Sequence, residues 1–423
     1  MASSLGTLLA QMEHRLGSNL QQLPHPVLQA GIDLPDVDKN EPNPQQLCHE
    51  SGKKEIYHVI YHHSMAAFAE TLATRGRASN KRFELCNTDW GKFEDGTDNI
   101  TLGYTKKDED GNSLSIIDSP TYFKGKDLLF IASFHSNDVT MSQFHVLAHL
   151  CESFAKSLTV LLPFYSTATM ERVDINHDGV VPTASTLARF FNGLPSMGYP
   201  IRLMTYDLHT LQNRFYVTGH AVASLHTATS LIRKKISELG IDTLAFPDAG
   251  ARKRFSSLFK EIARDRVITC EKVRIGDKRL ISVIDGSELL RIKSGSNPSP
   301  SEHILLVDDM IKSGGTLIQC AEKLKTINEK EGTGKIKISI YATHAVFEKK
   351  FFEHVNNGKF KDIKIHTTNS IPNNITVNSR QSKTITDITM PRQTGNDAHI
   401  PNHCLDNVTI EVLDLTQQVL EDL

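Results

Sequence analysis

The stretch ILLVDDMIKSGGTLIQC (304–320) raises the first chemical question. Asp308 and Asp309 close an apolar run, and Ser313, Gly314, Gly315 and Thr316 follow where a helical pattern begins. Backbone N–H groups at a Gly-rich turn that opens a helix bind phosphate. Carboxylates repel phosphate and accept hydrogen bonds from hydroxyls. A sugar phosphate with a cis-diol, such as ribose 5-phosphate, satisfies both groups. The Gly-Lys-[Ser/Thr] ending of a Walker loop is missing. The plainer reading, in which the Asp pair caps the helix, leaves two adjacent acids on an apolar strand without partners, which is costly.

Three further stretches place polar groups just after apolar runs. Asp207-Leu208-His209 follows IRLMTY, and Asp248 follows TLAFP. Mg²⁺ prefers oxygen ligands and keeps several waters, so His209 and Asp248 are candidates to face a metal or a phosphate; a packed, hydrogen-bonded histidine is the competing reading of His209. The run DAGARKR (248–254) reads as an N-cap followed by basic residues, with an ordinary capped helix and a solvated basic face as its alternative. CEKVRIGDKR (270–279) reads as a hairpin turning at Gly276-Asp277. Lys272 and Arg274 alternate and so share one face of that ribbon, suited to closing on a polyphosphate. A solvated hairpin is the plain alternative.

Parallel strands with helices between them would bring such residues together. From about residue 56 short apolar runs alternate with helical patterns. DLLFIAS (127–133) precedes a helix near 140–156, and LTVLLPF (158–164) one near 183–193. IRLMTY (201–206) precedes a helix over 221–238, and TLAF (243–246) one over 250–263. HILLV (303–307) precedes 315–327, and KISIYAT (337–343) a helix near 348–355. The rhythm predicts an α/β protein with mainly parallel sheets flanked by helices, in which ligands collect at the carboxyl ends of the strands. Polar breaks fall at 106–119, 293–303, 328–335 and 372–403, the last read as an inserted loop. Residues 1–50 read as an extension, with Leu5, Leu8, Leu9, Met12 and Leu16 at helical spacing before a Pro-rich connector.

The whole chain has 423 residues, 39% of them hydrophobic, and a net charge of −2. That is enough for two domains with their own cores, and it offers no broad basic field for nucleic acid or a membrane surface. No apolar run reaches the length of a membrane span. The six cysteines are scattered without a CxxC pair, which points to a reducing compartment rather than a disulfide or zinc framework. The N-terminus lacks a basic region before its apolar residues, so a cytoplasmic location is expected.

VDDMIKSGGT (307–316), with DLH at 207–209, PDAG at 247–250, KVR at 272–274 and THAVF at 343–347, resembles ribose-phosphate pyrophosphokinase (PRPP synthetase) in order and spacing over roughly residues 80–423. The resemblance implies two phosphoribosyltransferase-like (type I) domains, here about 51–222 and 223–403, with residues 404–423 returning to the first. It implies transfer of the diphosphoryl group of Mg-ATP to the C1 hydroxyl of ribose 5-phosphate, giving PRPP and AMP. By motif, His209 and Asp248 would be the Mg²⁺ ligands. Asp308 and Asp309 would hold the ribose hydroxyls, and Ser313, Gly314, Gly315 and Thr316 the 5-phosphate. Lys272 and Arg274 would neutralise the transferring phosphoryl group. Phe93 and Asp95 fall where the family contacts adenine across a subunit boundary, which implies a homo-oligomer. Thr167-Ala168-Thr169-Met170-Glu171 stands where most members read Tyr-Ala-Arg-Gln-Asp, and Lys312 where most have Asp. In these respects the chain resembles the plant-type, class II branch. The alternatives are a regulatory subunit that has lost nucleotide binding and, at greater distance, a phosphoribosyltransferase that consumes PRPP.

Overall fold

The computed structural model describes residues 54–104, 115–116, 121–171, 179–275, 278–290, 302–331, 336–372, 374–377, 385–389 and 408–423. The N-terminal helical pattern, the Gly276-Asp277 turn, Cys48, Cys404 and most of the 372–403 segment lie outside the described residues.

Two sheets organise the chain. The first has the order β2-β1-β6-β7-β8-β9 and is parallel throughout. Its strands are β1 (Glu55–Tyr61), β2 (Lys81–Cys86), β6 (Asp127–Ile131), β7 (Ser157–Leu161), β8 (Ile201–Tyr206) and β9 (Ala221–His226). The second has the order β12-β11-β10-β13-β14-β15-β18. It is built from β10 (Thr243–Phe246), β11 (Val267–Ile275), β12 (Lys278–Asp285), β13 (Glu302–Ile311), β14 (Ile336–Ala345), β15 (Lys364–Thr368) and β18 (Thr409–Leu413). Only β11 and β12 pair antiparallel in it. A small antiparallel set, β3 (Thr88–Lys92), β4 (Asp98–Tyr104) and β5 (Ser115–Ile116), and a hairpin of β16 (Asn374–Val377) with β17 (Ile385–Thr389) lie apart. The helices are α1 (Ala66–Gly76), α2 (Asn137–Cys151), α3 (Thr183–Asn192), α4 (Thr229–Arg233), α5 (Ile236–Leu239), α6 (Ala249–Phe255), α7 (Gly315–Glu331), α8 (Lys349–Asn356) and α9 (Thr416–Asp422).

The central strands are apolar on both faces, as strands covered by helices on each side must be. Ile304, Leu305, Leu306 and Val307 are fully buried, as are Leu128, Leu129 and Phe130. Odd and even positions serve different cores. Leu305 and Val307 join Val59, Met204, Tyr206 and Tyr341 in a core shared by the facing sides of the two sheets. Ile304 and Leu306 pack beneath α7 and α8. Phe130 and Val160 pack with α2 and α3 on the far side of the first sheet. Helix α3 buries Ala184, Leu187, Ala188 and Phe191, the i, i+3, i+4, i+7 stripe of an amphipathic helix.

The strand–helix rhythm read from the sequence matches most of these elements. Two corrections are needed. The helix expected over 250–263 ends at Phe255 and continues only as a 3-10 turn to Leu258. Residues 221–226 are not the start of a helix but the edge strand β9, paired in parallel with β8 from Ile201↔Ala221 to Tyr206↔His226. Helix follows only as the short α4 and α5. The sequence AVASLH has no decisive period of its own, and the neighbouring strand supplies what sets its conformation. Helix α7 also continues into the expected break at 328–335, as far as Glu331. Within the segment read as an inserted loop, β16 and β17 pair antiparallel. Among the described residues, Cys86, Cys151, Cys270 and Cys320 are buried and form no disulfide, and no helix is long and apolar enough to cross a membrane.

Candidate active site

Strand β13 carries two acids at its carboxyl end, and their environments differ. Asp309 is 1% exposed and faces inward: Arg254 Nη2 donates to its Oδ1 at 2.7 Å, and His209 Nδ1 lies 3.0 Å from its Oδ2. Arg254 Nη1 also donates to the His209 carbonyl. Asp308 keeps 20% of its side chain exposed and sits 3.6 Å from Arg254. Its Oδ1 accepts from the Asp309 N–H at 2.9 Å. Burial works against ionisation of Asp309, but His209 and Arg254 outweigh it and hold that carboxyl well below the usual range. Burial, and then the negative charge of Asp309, push Asp308 well above it. Two neighbouring acids are thus held apart in acidity by their different surroundings.

The turn that follows is built for close approach. Gly314 adopts φ +72°, and a Cβ there would meet Phe360 Cζ at 2.6 Å. Both facts demand glycine. Phe347, Phe351 and Phe360 form the floor, with the first two rings stacked at 4.1 Å. The Ile311 carbonyl accepts from Val346 and Phe347 N–H at 3.0 Å, and the Lys312 carbonyl accepts from Glu348 N–H at 3.1 Å. The THAVF segment after β14 therefore braces the turn. Ser313 Oγ accepts from the Gly315 N–H at 3.4 Å. Helix α7 starts at Gly315, and the leading amides of a helix have no partner within it.

The first sheet contributes through β8. Asp207, at φ +39°, turns the chain so that His209 projects toward Asp309. A non-glycine residue in that region needs support from its surroundings. The buried Asp207 carboxylate accepts from Thr227 Oγ1 at 2.6 Å, Ala228 N–H at 2.9 Å and Thr343 Oγ1 at 2.5 Å. His344 spans from the Tyr206 carbonyl to Ser370 Oγ, at 2.9 Å each. These bonds tie the carboxyl end of β8 to that of β14.

Asp248 caps α6, its Oδ1 accepting the Ala251 N–H at 2.8 Å. It therefore does the work of an ordinary N-cap, and this bond engages only one of its two oxygens. His209 is held through Nδ1, with 36% of its side chain exposed. Among the described residues no cluster of three or more His, Cys, Asp or Glu could hold a metal alone. The second Asp248 oxygen suits Mg²⁺, which prefers oxygen and takes few protein ligands when it arrives with substrate phosphates and water; the His209 imidazole is the less usual partner.

Lys272 and Arg274 lie on β11, opposite Ile281 and Arg279 of β12, so the stretch forms the hairpin read from the sequence. Their side chains lie outside the described residues. Phe93 and Asp95 are not gathered with the rest. They occupy the tip of the β3–β4 hairpin, where Phe93 is 55% exposed and Asp95 accepts from Thr97 N–H at 2.9 Å and Thr97 Oγ1 at 2.6 Å.

Arg254 is the residue the sequence reading passed over. Far from belonging to a solvated basic face, its guanidinium is 14% exposed and joins β13 to the 207–209 turn. Ala251 and Phe255 are buried on the same short helix, so the signal was its place beside an apolar stripe.

The fold and this rim of strand ends define an α/β protein of the phosphoribosyltransferase-like class, with a glycine turn after an acidic strand tip. The comparisons with known proteins narrow that class. No family model matches the chain. It is 35% identical over 300 residues to ribose-phosphate pyrophosphokinase 4 of Oryza sativa subsp. japonica, covering 69% of this chain and 81% of that protein. It is 32% identical over 320 residues to ribose-phosphate pyrophosphokinase 4 of Arabidopsis thaliana, covering 74% and 84%. Against the chloroplastic ribose-phosphate pyrophosphokinase 3 of Arabidopsis thaliana it is 35% identical over 302 residues, covering 70% of this chain but 64% of that one. The crystal structure of phosphoribosylpyrophosphate synthetase from Mycobacterium smegmatis has a similar fold, with a TM-score of 0.56 at 18% identity over 87% of this chain and 97% of that one. The chain belongs to the ribose-phosphate pyrophosphokinase family.

Proposed function

We propose that this chain is a ribose-phosphate diphosphokinase that makes PRPP and AMP from ATP and ribose 5-phosphate. The observation that carries the reading is the end of β13, where a part-buried acid, a buried acid clamped by Arg254 and a turn that demands glycine follow one another.

Ribose 5-phosphate lays its phosphate on the amides of Ser313, Gly314, Gly315 and Thr316. Asp308 takes the ribose hydroxyls. Asp309 acts behind it, fixing Arg254 and His209. The C1 hydroxyl attacks the β-phosphorus of ATP in line, the bond from that phosphorus to the α-phosphate oxygen breaks, and AMP departs. Such transfers depend on positioning and charge neutralisation more than on covalent chemistry. Lys272 and Arg274 supply neutralisation from the hairpin. Mg²⁺ bound with the nucleotide by His209 and Asp248 would add Lewis-acid stabilisation of phosphate charge. The exposed Phe93 and Asp95 serve adenine in a neighbouring copy of a homo-oligomer. The two sheets correspond to two phosphoribosyltransferase-like halves that divide after β9, just past His226, with the final helix returning to the first. Cytoplasmic placement belongs to the same reading; relatives carry chloroplastic and mitochondrial names, so fractionation of the native protein decides it.

The test is direct. Purified protein with Mg²⁺, ATP and ribose 5-phosphate should release AMP and PRPP in equal amounts, and neither without the sugar. Absence of both products, with specific binding to an active homologue, would establish the regulatory reading instead.

A further inference from the structure

Lys312 opens the phosphate turn, yet its side chain leaves it. Nζ donates to Thr169 Oγ1 at 3.1 Å, on the segment that follows β7 in the other sheet. Among the described residues no carboxylate forms an ion pair with this ammonium; Glu348, whose N–H bonds the Lys312 carbonyl at 3.1 Å, lines the same cavity without pairing with it. That cavity, of about 220 Å³, is also lined by Ser133, His135 and Ser166. An ammonium has three donors, and a half-buried one satisfied by a single described hydroxyl is short of a counter-charge. A phosphate oxygen entering the cleft would displace that hydroxyl, because charge-assisted hydrogen bonds are about twice as strong as neutral ones.

Two anions must enter this cleft, and the direction of the side chain selects between them. The 5-phosphate is served by the backbone amides of the turn itself. The Lys312 side chain instead reaches Thr169, on the segment that follows β7, so its ammonium is carried off the turn to the first sheet's side of the cleft. We propose that Lys312 is a nucleotide-donor residue: its ammonium leaves Thr169 to bind the polyphosphate of the incoming nucleoside triphosphate. Thr169 is its resting partner. Lys312 and Thr169, two of the positions where this chain departs from the common family pattern, thus meet in space.

The inference rests on the diphosphokinase reading, and the experiment separates the two. Dissociation constants are measured by calorimetry, with Mg²⁺, for the α,β-methylene analogue of ATP and, separately, for ribose 5-phosphate. Lys312→Met should weaken the analogue by about ten- to a hundredfold and leave ribose 5-phosphate within about twofold. Lys312→Arg should restore most of the loss. Lys312→Gln, which keeps a donor for Thr169, should behave like Lys312→Met, and it decides the matter if the methionine variant is poorly folded. Unchanged affinity for the analogue, or a loss that falls on ribose 5-phosphate, overturns the assignment. A wild-type protein that binds the analogue but releases no AMP overturns the diphosphokinase reading, while the same constants still decide Lys312.

Discussion

Asp308 and Asp309 are chemically identical neighbours with opposite surroundings, and the roles proposed for them can be measured separately. Asp308→Asn keeps the size of the side chain and replaces one of its oxygens by an amide nitrogen that cannot accept. It should raise the KM for ribose 5-phosphate by about tenfold, on the scale of one lost hydrogen bond, and leave the melting temperature nearly unchanged. An unaltered KM would remove Asp308 from the sugar site. Arg254→Met should act differently, because it strands the buried Asp309 carboxylate. Breaking such a pair costs about 3–5 kcal/mol, so thermal unfolding should shift downward and turnover should fall together with it. If Arg254→Met melts like the wild type, the clamp is not what holds Asp309. Asp309 and Arg254 show where reading residues in isolation stops: both were visible as charges near a strand end, but which one faces the ligand depends on partners distant in sequence, such as His209.

At the scale of elements, the β13–α7 junction carries the most specific sequence signal. Two constraints converge on Gly314, the left-handed backbone and the Phe360 ring beneath it. Gly314→Ala should therefore lift the turn off its aromatic floor. The expected result is a loss of ribose 5-phosphate affinity larger than any loss of nucleotide affinity, with a stability cost of about 1–3 kcal/mol. Equal losses for both ligands in calorimetry would mean that the turn is not a dedicated phosphate cradle. The junction was legible because it is local: apolar strand, acids, glycines and helix follow within one short stretch. Strand β9 was not, because a short edge strand without clear alternation takes its conformation from the strand beside it.

At the scale of the molecule, the last helix holds the first sheet. Tyr206 Oη donates to Asp422 Oδ2 at 2.7 Å, Arg202 Nη2 to the Asp422 carbonyl at 3.0 Å, and His226 Nδ1 lies 3.3 Å from Asp422 Oδ2. Strand β18, just before that helix, pairs with β15 in the second sheet. Burial works against the ionised Asp422, but His226, Tyr206 and Gln418 prevail and set its acidity below the ordinary value. A depressed carboxyl contributes stability above its unfolded pKa, and loses it as pH falls through the folded one. Asp422→Asn should thus be less stable than wild type by about 2 kcal/mol at pH 7, with the gap closing as the pH is lowered through the carboxylate range. Denaturant midpoints measured from pH 7 to pH 3 would reveal this; a gap that stays constant would show that the charge is not the source.

The sequence alone determined the strand–helix alternation, the glycine turn after β13 and the family likeness, because these depend on hydrophobic period and on residues adjacent in the chain. Tertiary structure decided what lies across the cleft. It turned Asp309 inward, enlisted Arg254, left Phe93 and Asp95 exposed at a hairpin tip, and brought Lys312 to Thr169. The physical reason is that burial and electrostatic partnership are set by distance in space, and the two sheets that bring these groups together are far apart in sequence.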